Sequence, residues 1–302
     1  MESKGRATAP AVELESTRGT VTQNFGRTSL DEGQTPTPLR LPVRRQHQTG
    51  EVTALILSAG RGSRLLPLTE RIPKALVEIG GRSILGWQLD SLAAAGVRSA
   101  TVVVGFGADL IADYVAAHAP SGMHVSTVFN PFFESTDNLI SCWAAREEMD
   151  GDFLLINGDT LFEPAVLERL LGSVPAPVTV AVRRKATYDA DDMKVECLDS
   201  VLRRIGKHLP IETTAAESIG VMAFRGTGPA LFRREIERAV ALPEAKRWWY
   251  PTVVDSLAQS GWVRVAHVEG LATAEIDVPA DIPAAEQVVA SLPGVAEQAI
   301  AK

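Results

Sequence analysis

The sequence is short of cysteine: only Cys142 and Cys197 occur in 302 residues. Two lone thiols outside any CxxC pair exclude a disulfide framework and a cysteine-rich zinc site. Each reads as an ordinary buried or half-buried thiol. Long apolar runs are also missing. No stretch approaches the about 18 consecutive apolar residues of a membrane helix, and the N-terminus lacks the apolar core of a secretory signal. The expected compartment is therefore cytoplasmic, with no membrane partner. Positive charge is in deficit, 30 Lys+Arg against 37 Asp+Glu, for a net charge of −7. A nucleic-acid partner would call for a basic face, so none is expected. Any cations that serve an anionic substrate must be gathered locally, because the field of the whole chain repels it. What is present, 45% apolar and 22% charged residues, is the mix of an ordinary globular protein. The length suits one large domain or two small ones at ~150 residues each.

Residues 1–50 are poor in large apolar side chains and show no periodicity. Such a segment cannot bury enough surface to offset its ordering entropy, and it reads as a disordered N-terminal extension. The basic stretch Arg40 to Arg45 reads as a solvated charge cluster. The body is expected over 51–292, followed by a C-terminal tail, 293–302. Within the body, short apolar runs alternate with helical periodicity. Strands are predicted at Ala54–Leu57, Ala100–Val104, Val125–Val128, Phe153–Ile156 and Val178–Val182, with helices at Ile84–Ala95, Asp109–Ala117, Leu139–Glu147 and Ala165–Leu171. This alternation predicts an α/β fold, a Rossmann-like, mostly parallel sheet flanked by helices. Over 185–225 the rhythm shortens. Strands at Met193–Cys197, Val201–Ile205 and Ile219–Phe224 predict a small antiparallel insertion on the substrate side. Helices at Pro229–Ala241, Thr252–Gln259 and Ile282–Ser291 and a strand at Val263–His267 complete the body.

The first strand runs into Ser58-Ala59-Gly60-Arg61-Gly62-Ser63-Arg64. A strand followed by a glycine-rich turn can cradle phosphate, because glycine admits close backbone approach and its N–H groups point outward. The turn is neither GxGxxG nor a P-loop, and alone it is equally a tight βα turn. Arg61, Arg64, Arg71 and Lys74 then fall in 14 residues that hold one acid, Glu70. Pro67 and Pro73 favour an extended loop, able to place Arg64 and Lys74 over one ligand. Leu57 to Arg64 and Pro73-Lys74-Ala75-Leu76 together resemble the nucleoside-triphosphate transferase family, whose pattern is L-x-A-G-x-G-x-R followed by P-K-x-L. The resemblance implies transfer of a nucleotide to a phosphorylated small molecule with release of pyrophosphate. Leu57, Ala59, Gly60, Arg61, Gly62 and Ser63 would bind the nucleotide, and Arg64 and Lys74 would be catalytic.

Asn157-Gly158-Asp159-Thr160 follows the strand Phe153–Ile156. Ligands of open parallel sheets sit beyond the carboxyl ends of strands, so Asp159 and the glycine loop can share one crevice. A carboxylate beside a polyphosphate suits Mg²⁺, while a turn or capping aspartate is the alternative. The family resemblance assigns Gly158 to the nucleotide and Asp159 to the metal. It adds Asp277 as a second ligand, with Asp277 or Asp281 as alternative caps of the last helix. Glu275 points the same way if its segment is extended, and ranks lower.

Asn130, Thr136 to Ser141, Asp192 to Val195, Ile205-Gly206-Lys207 and Glu217 to Gly220 are similar to the phosphocholine cytidylyltransferase-like members, whose relatives also act on phosphonates and cyclitol phosphates. This resemblance prefers CTP. It implies Asn138 near the base or ribose, Lys194 and Lys207 near the acceptor phosphate or α-phosphate, and Glu217 in the acceptor pocket. Each lysine is otherwise an exposed edge-strand charge. Trp248, Trp249 and Tyr250 would offer a quaternary ammonium an aromatic box, with Trp249 as the substrate contact, or pack the inserted strands or a dimer contact. Tyr250-Pro251 stands where choline-type relatives carry an acid, which argues against choline and leaves a hydroxylated or phosphonate acceptor open. Partners are then a nucleoside triphosphate and a phosphorylated or phosphonate acceptor, with Mg²⁺ as cofactor; self-association is left open. The rival readings are a sugar-1-phosphate nucleotidyltransferase using UTP, dTTP or GTP, a non-catalytic homologue, and a glycosyltransferase. A non-catalytic homologue usually loses one of the four charged groups, and the DxD motif of a glycosyltransferase is absent. A dinucleotide-dependent oxidoreductase fails on the missing third glycine.

Overall fold

The computed structural model describes residues 51–292, so the expectations for 1–50 and for 293–302 lie outside the described residues. In chain order the elements are β1 (Thr53–Ser58), β2 (Glu78–Ile79), β3 (Arg82–Ser83), α1 (Ile84–Ala94), β4 (Ser99–Val104), α2 (Ala108–His118), β5 (His124–Phe129) and α3 (Asn138–Ala144). Then come β6 (Phe153–Asn157), β7 (Thr160–Phe162), α4 (Pro164–Leu171), β8 (Val178–Arg183), β9 (Lys194–Leu198), β10 (Val201–Gly206) and β11 (Ala216–Phe224). The last are α5 (Gly228–Val240), α6 (Pro251–Gln259), β12 (Val263–His267), β13 (Thr273–Glu275) and α7 (Ile282–Ala290).

Nine strands form one sheet in the order β5-β4-β1-β6-β11-β8-β12-β10-β9. The first four are mutually parallel. β11 then enters antiparallel to both β6 and β8, so the expected α/β sheet is mixed. Ile219–Phe224, expected in the antiparallel insertion, instead runs through the middle of the main sheet: all nine residues of β11 are buried, as in a strand covered on both faces. β9 and β10 form the antiparallel hairpin expected of the insertion, and β9 also pairs with the start of β11.

Side-chain alternation along the strands feeds two cores. Leu55 of β1 faces a layer with α3, α5 and α6, while Ala54 and Ile56 face α1, α2 and α4. Each fully buried Leu, Ile or Val contributes about 1.5–3 kcal/mol. A third cluster, with Leu65, Ile79, Leu161, Ile276 and Val289, lies under the segment after the glycine turn. It anchors that segment and β13 to α7, and so brings residues 64–74 and 275–277 to one place. β7 and β13 escaped the sequence reading because each has only three residues.

Candidate active site

β1 ends at Ser58, and Gly62 carries the chain onward with φ 68° and ψ 40°. A Cβ built there would lie 2.8 Å from Cβ of Lys74. Gly62 is therefore needed twice, for its left-handed backbone and for the crossing of Lys74. Buried Thr69 pins the turn, its hydroxyl donating to the Gly62 carbonyl at 2.7 Å.

Across the cleft, the turn from β6 to β7 presents Asp159. Gln88 of α1 fixes this turn by donating its amide to the carbonyls of Asn157 and Thr160, both at 2.8 Å. The segment after β13 is tied to the turn by the Ile276 N–H, which donates to the Asp159 carbonyl at 3.1 Å. The Asp281 carboxylate accepts from the Asp277 and Val278 N–H groups at 2.7 and 2.8 Å. Asp281 is thus the capping acid, and the Asp277 carboxylate is left for the cleft.

The four charged residues converge. The Lys74 ammonium donates to Asp159 Oδ2 and to Asp277 Oδ1, each at 2.8 Å. Arg64 donates to Asp277 Oδ1 at 2.9 Å and lies 3.7 Å from Asp191. Burial works against the Lys74 charge, but Asp159 and then Asp277 outweigh it and hold the ammonium above its usual range. Burial likewise raises the Asp277 carboxyl, and Lys74 and Arg64 overturn this to leave it below the ordinary aspartate value. Glu275 behaves oppositely. It is exposed at the cleft mouth, yet desolvation of its carboxyl, with the charges of Asp159 and Asp277, pushes it up to about 8.

Oxygen atoms of Asp159, Glu275 and Asp277 all lie within 4.8 Å of one another. Asp159 Oδ1 is buried with no hydrogen-bond partner. An orphaned carboxylate oxygen beside two further carboxylates is a donor set of hard oxygens, which fits Mg²⁺ or a similar divalent cation. Glu275, ranked lower from sequence, is geometrically the equal of the two aspartates.

Two cavities meet here. One, on the glycine-loop side, is lined by Leu57, Ala59, Gly60, Asp137, Asn138 and Trp249, among others. The other is lined by the acids and by Arg64, Asn157, Lys207, Ser218 and Tyr250. Asn138 and Trp249 belong to both. The remaining expected site residues scatter. Ser63 is exposed on the loop. The Arg61 guanidinium lies over the Phe106 ring at 4.7 Å. Gly158 is buried against β1, its N–H donating to the Leu57 carbonyl. Lys194 is 2% exposed and donates to the Lys207 carbonyl at 2.7 Å. Glu217 is 5% exposed and pairs with Arg183 at 2.6 Å and Lys185 at 3.1 Å. Trp249 is 41% exposed, but its ring carries the chain's own Lys207 ammonium at 4.5 Å.

Residues 54–261 match the MobA-like NTP transferase domain. The chain belongs to the MobA-like NTP transferase family. Within it, the chain is 35% identical to the CMP-5'-(3-aminopropyl)phosphonate synthase of Streptomyces rubellomurinus, over 83% of this chain and 40% of that protein. It is 25% identical to the bifunctional IPC transferase and DIPP synthase of Aquifex aeolicus, over 78% of this chain and 51% of that one. The chain thus spans about half the length of these curated relatives or less. A solved structure described as the CTP:phosphocholine cytidylyltransferase from Streptococcus pneumoniae superposes with a TM-score of 0.65 at 21% identity, covering 79% of this chain and 99% of that one. That likeness is one of fold alone. The described residues contain no helix long and apolar enough to cross a membrane.

Proposed function

We propose that this MobA-like chain is a nucleotidyltransferase that joins a nucleoside triphosphate, CTP by preference, to a phosphorylated or phosphonate small molecule and releases pyrophosphate. The observation that carries it is the meeting of Arg64 and Lys74 with Asp159 and Asp277 at the acid-lined cavity. A site for a metal-bound polyphosphate needs cations for the phosphates and carboxylates for the metal, and this cluster supplies both, with three carboxylates within 4.8 Å of one another.

An oxygen of the acceptor phosphate or phosphonate attacks the α-phosphorus in line. The new P–O bond forms as the bond to the β-phosphate oxygen breaks, with the electron pair leaving on pyrophosphate. No covalent enzyme intermediate is required, so the protein positions the reactants and stabilises charge. Backbone N–H groups of Gly60 to Ser63 and the Arg64 guanidinium bind the β- and γ-phosphates and the departing charge. Lys74 spans the α-phosphate and the acceptor oxygen. Lys207, already in the acid-lined cavity, meets the acceptor's anionic group. Asp159 and Asp277, with Glu275, hold Mg²⁺, which supplies electrophilic charge to the phosphoryl oxygens when bound. The preference for CTP and a phosphonate-type acceptor is supported by the printed name of the Streptomyces relative. The Lys207 ammonium on Trp249 disfavours a quaternary ammonium on the same ring face.

Pyrophosphate release measured across CTP, UTP, dTTP, GTP and ATP, crossed with choline phosphate, phosphonates, inositol phosphate and hexose 1-phosphates, tests the reading. The expected signal is greatest with CTP. Turnover only with UTP and a hexose 1-phosphate would replace the acceptor class, and no turnover with any pair would sink the transferase reading.

A further inference from the structure

Tyr250 is 1% exposed, yet it reaches the wall of the acid-lined cavity. A buried phenol must spend its proton on an acceptor. Among the described residues that acceptor is Asn157 Oδ1, at 3.0 Å. The Asn157 carbonyl oxygen is therefore committed, and its NH₂ group is turned away from the ring. The backbone N–H of the same tyrosine donates to Asn138 Oδ1 at 2.9 Å. A backbone N–H only donates, so the Asn138 amide is oriented as firmly. Both asparagines line the cavity, and neither NH₂ group has a protein partner among the described residues. Gly220 packs on the same amide: a Cβ there would lie 2.4 Å from Asn157 Nδ2, and its φ of 73° favours glycine. Asn157 is thus held by a hydroxyl on one side and a bare backbone on the other.

We propose that Tyr250 is a positioning residue that acts through Asn157, holding its NH₂ group as a hydrogen-bond donor to the oxyanion of the acceptor. An amide NH₂ cannot ligate a metal, so among the three carboxylates its useful partner is an anionic oxygen of the substrate. Asn157 lines the acid-side cavity and not the one at the glycine loop, which places its donor with the acceptor rather than the nucleotide. Asn138 sits on the wall between the cavities, and its bond to a backbone N–H survives any change of the tyrosine side chain. The assignment rests on the transferase reading and names which substrate the pair serves.

The test uses Tyr250→Phe, Asn157→Ala and the double variant in the full chain, with CTP and an acceptor turned over in the pyrophosphate screen. Loss of one donor is expected to raise the acceptor KM about tenfold in either single variant, leave the CTP KM within about twofold, and give no further loss in the double variant. Equal rises in both KM values, or additive losses, would overturn the proposal. If Tyr250→Phe fails to fold, the acceptor-selective KM of Asn157→Ala alone decides. Absence of turnover by the wild-type chain would count against the transferase reading instead. The positioning is then judged by side-chain amide spectra of asparagine-labelled protein titrated with inorganic phosphate. The Asn157 NH₂ pair is expected to shift in the wild type and not in Tyr250→Phe; no shift in the wild type, or the same shift in both, overturns it.

Discussion

The two sides of the cleft are built differently. The glycine-loop side is a single stretch, residues 57–76, that turns at Gly62 and returns with Lys74 beside it. The acid side is assembled from the ends of β6, β11 and β13, the start of β10's exit loop at Lys207 and the entry to α6 at Tyr250. One side brings cations and the other carboxylates, and they meet in ion pairs at 2.8–2.9 Å. The contrast teaches that the cations which would hold a triphosphate are also the counter-charges of the carboxylates that would hold its metal. A metal-bound nucleotide exchanges both sets of partners at once, so metal and nucleotide are expected to bind with positive coupling.

Breaking the junction should give the largest effect. Lys74→Ala is expected to lower kcat/KM about a thousandfold, the scale of losing a transition-state donor, with the far-ultraviolet circular dichroism unchanged; near-normal turnover would rule out its role. Next comes a change confined to the acid side. Gly220→Ala forces a left-handed residue to carry a Cβ into the Asn157 amide. A loss of about 2–3 kcal/mol is expected in denaturant unfolding, whereas a change under about 0.5 kcal/mol would show that the amide yields. Asp159→Asn should weaken Mn²⁺ binding about a hundredfold or more by calorimetry, since loss of even a supporting group of a metal site costs about 10–100-fold; an unchanged titration would remove Asp159 from the metal set. The sharpest probe of the exchange is Lys74→Ala in the absence of nucleotide. Freed of its competing ammonium, the carboxylate cluster should take Mn²⁺ about tenfold more tightly, and equal or weaker binding would show that the ammonium does not compete.

The smallest effect concerns the ion network beside the acid cavity. Lys185 pairs with Asp192 at 2.7 Å and Glu217 at 3.1 Å. Burial raises Asp192, and the hydrogen bond from Lys185 outweighs it to leave a net lowering. Burial and the Asp192 contact keep Glu217 raised, although Lys185 pulls it down. Lys185 thus lowers both acids, and its contribution to stability is present where they are ionised and lost as pH falls through their folded values. Lys185→Met should cost about 1 kcal/mol at pH 7, and the gap in thermal midpoint should shrink as pH falls through the carboxylate range. A gap that widens in acid would contradict the pairing.

The loop side was legible in the sequence because its geometry is local. Gly60 to Arg64 and Pro73-Lys74 carry their spacing on the chain, and the partner strands were readable from apolar runs. Gln88 was not legible, since a helical glutamine gives no sign that its amide faces a carbonyl 69 residues away. Tyr250 read as one of an aromatic cluster, because nothing in its neighbours announces Asn157. Lys194 and Glu217 read as cleft groups, yet β9 and the start of β11 turn them into buried pairings with the protein itself. The antiparallel direction of β11 was legible, but its place in the middle of the main sheet was not, because its pairing with β6 and β8 is a contact between separate segments.

What the sequence determined alone is the alternation of strands and helices and the turn that brings two cations onto one loop. Those follow from interactions over a few residues, where backbone preference and apolar spacing suffice. Only the tertiary structure decided that oxygens of Asp159, Glu275 and Asp277 lie within 4.8 Å of one another, and that Lys74 stands between two of them. Their closeness depends on β13 pairing with β7 and on the cluster beneath α7, contacts between segments more than 100 residues apart whose free energy exists only once the sheet has closed over its core.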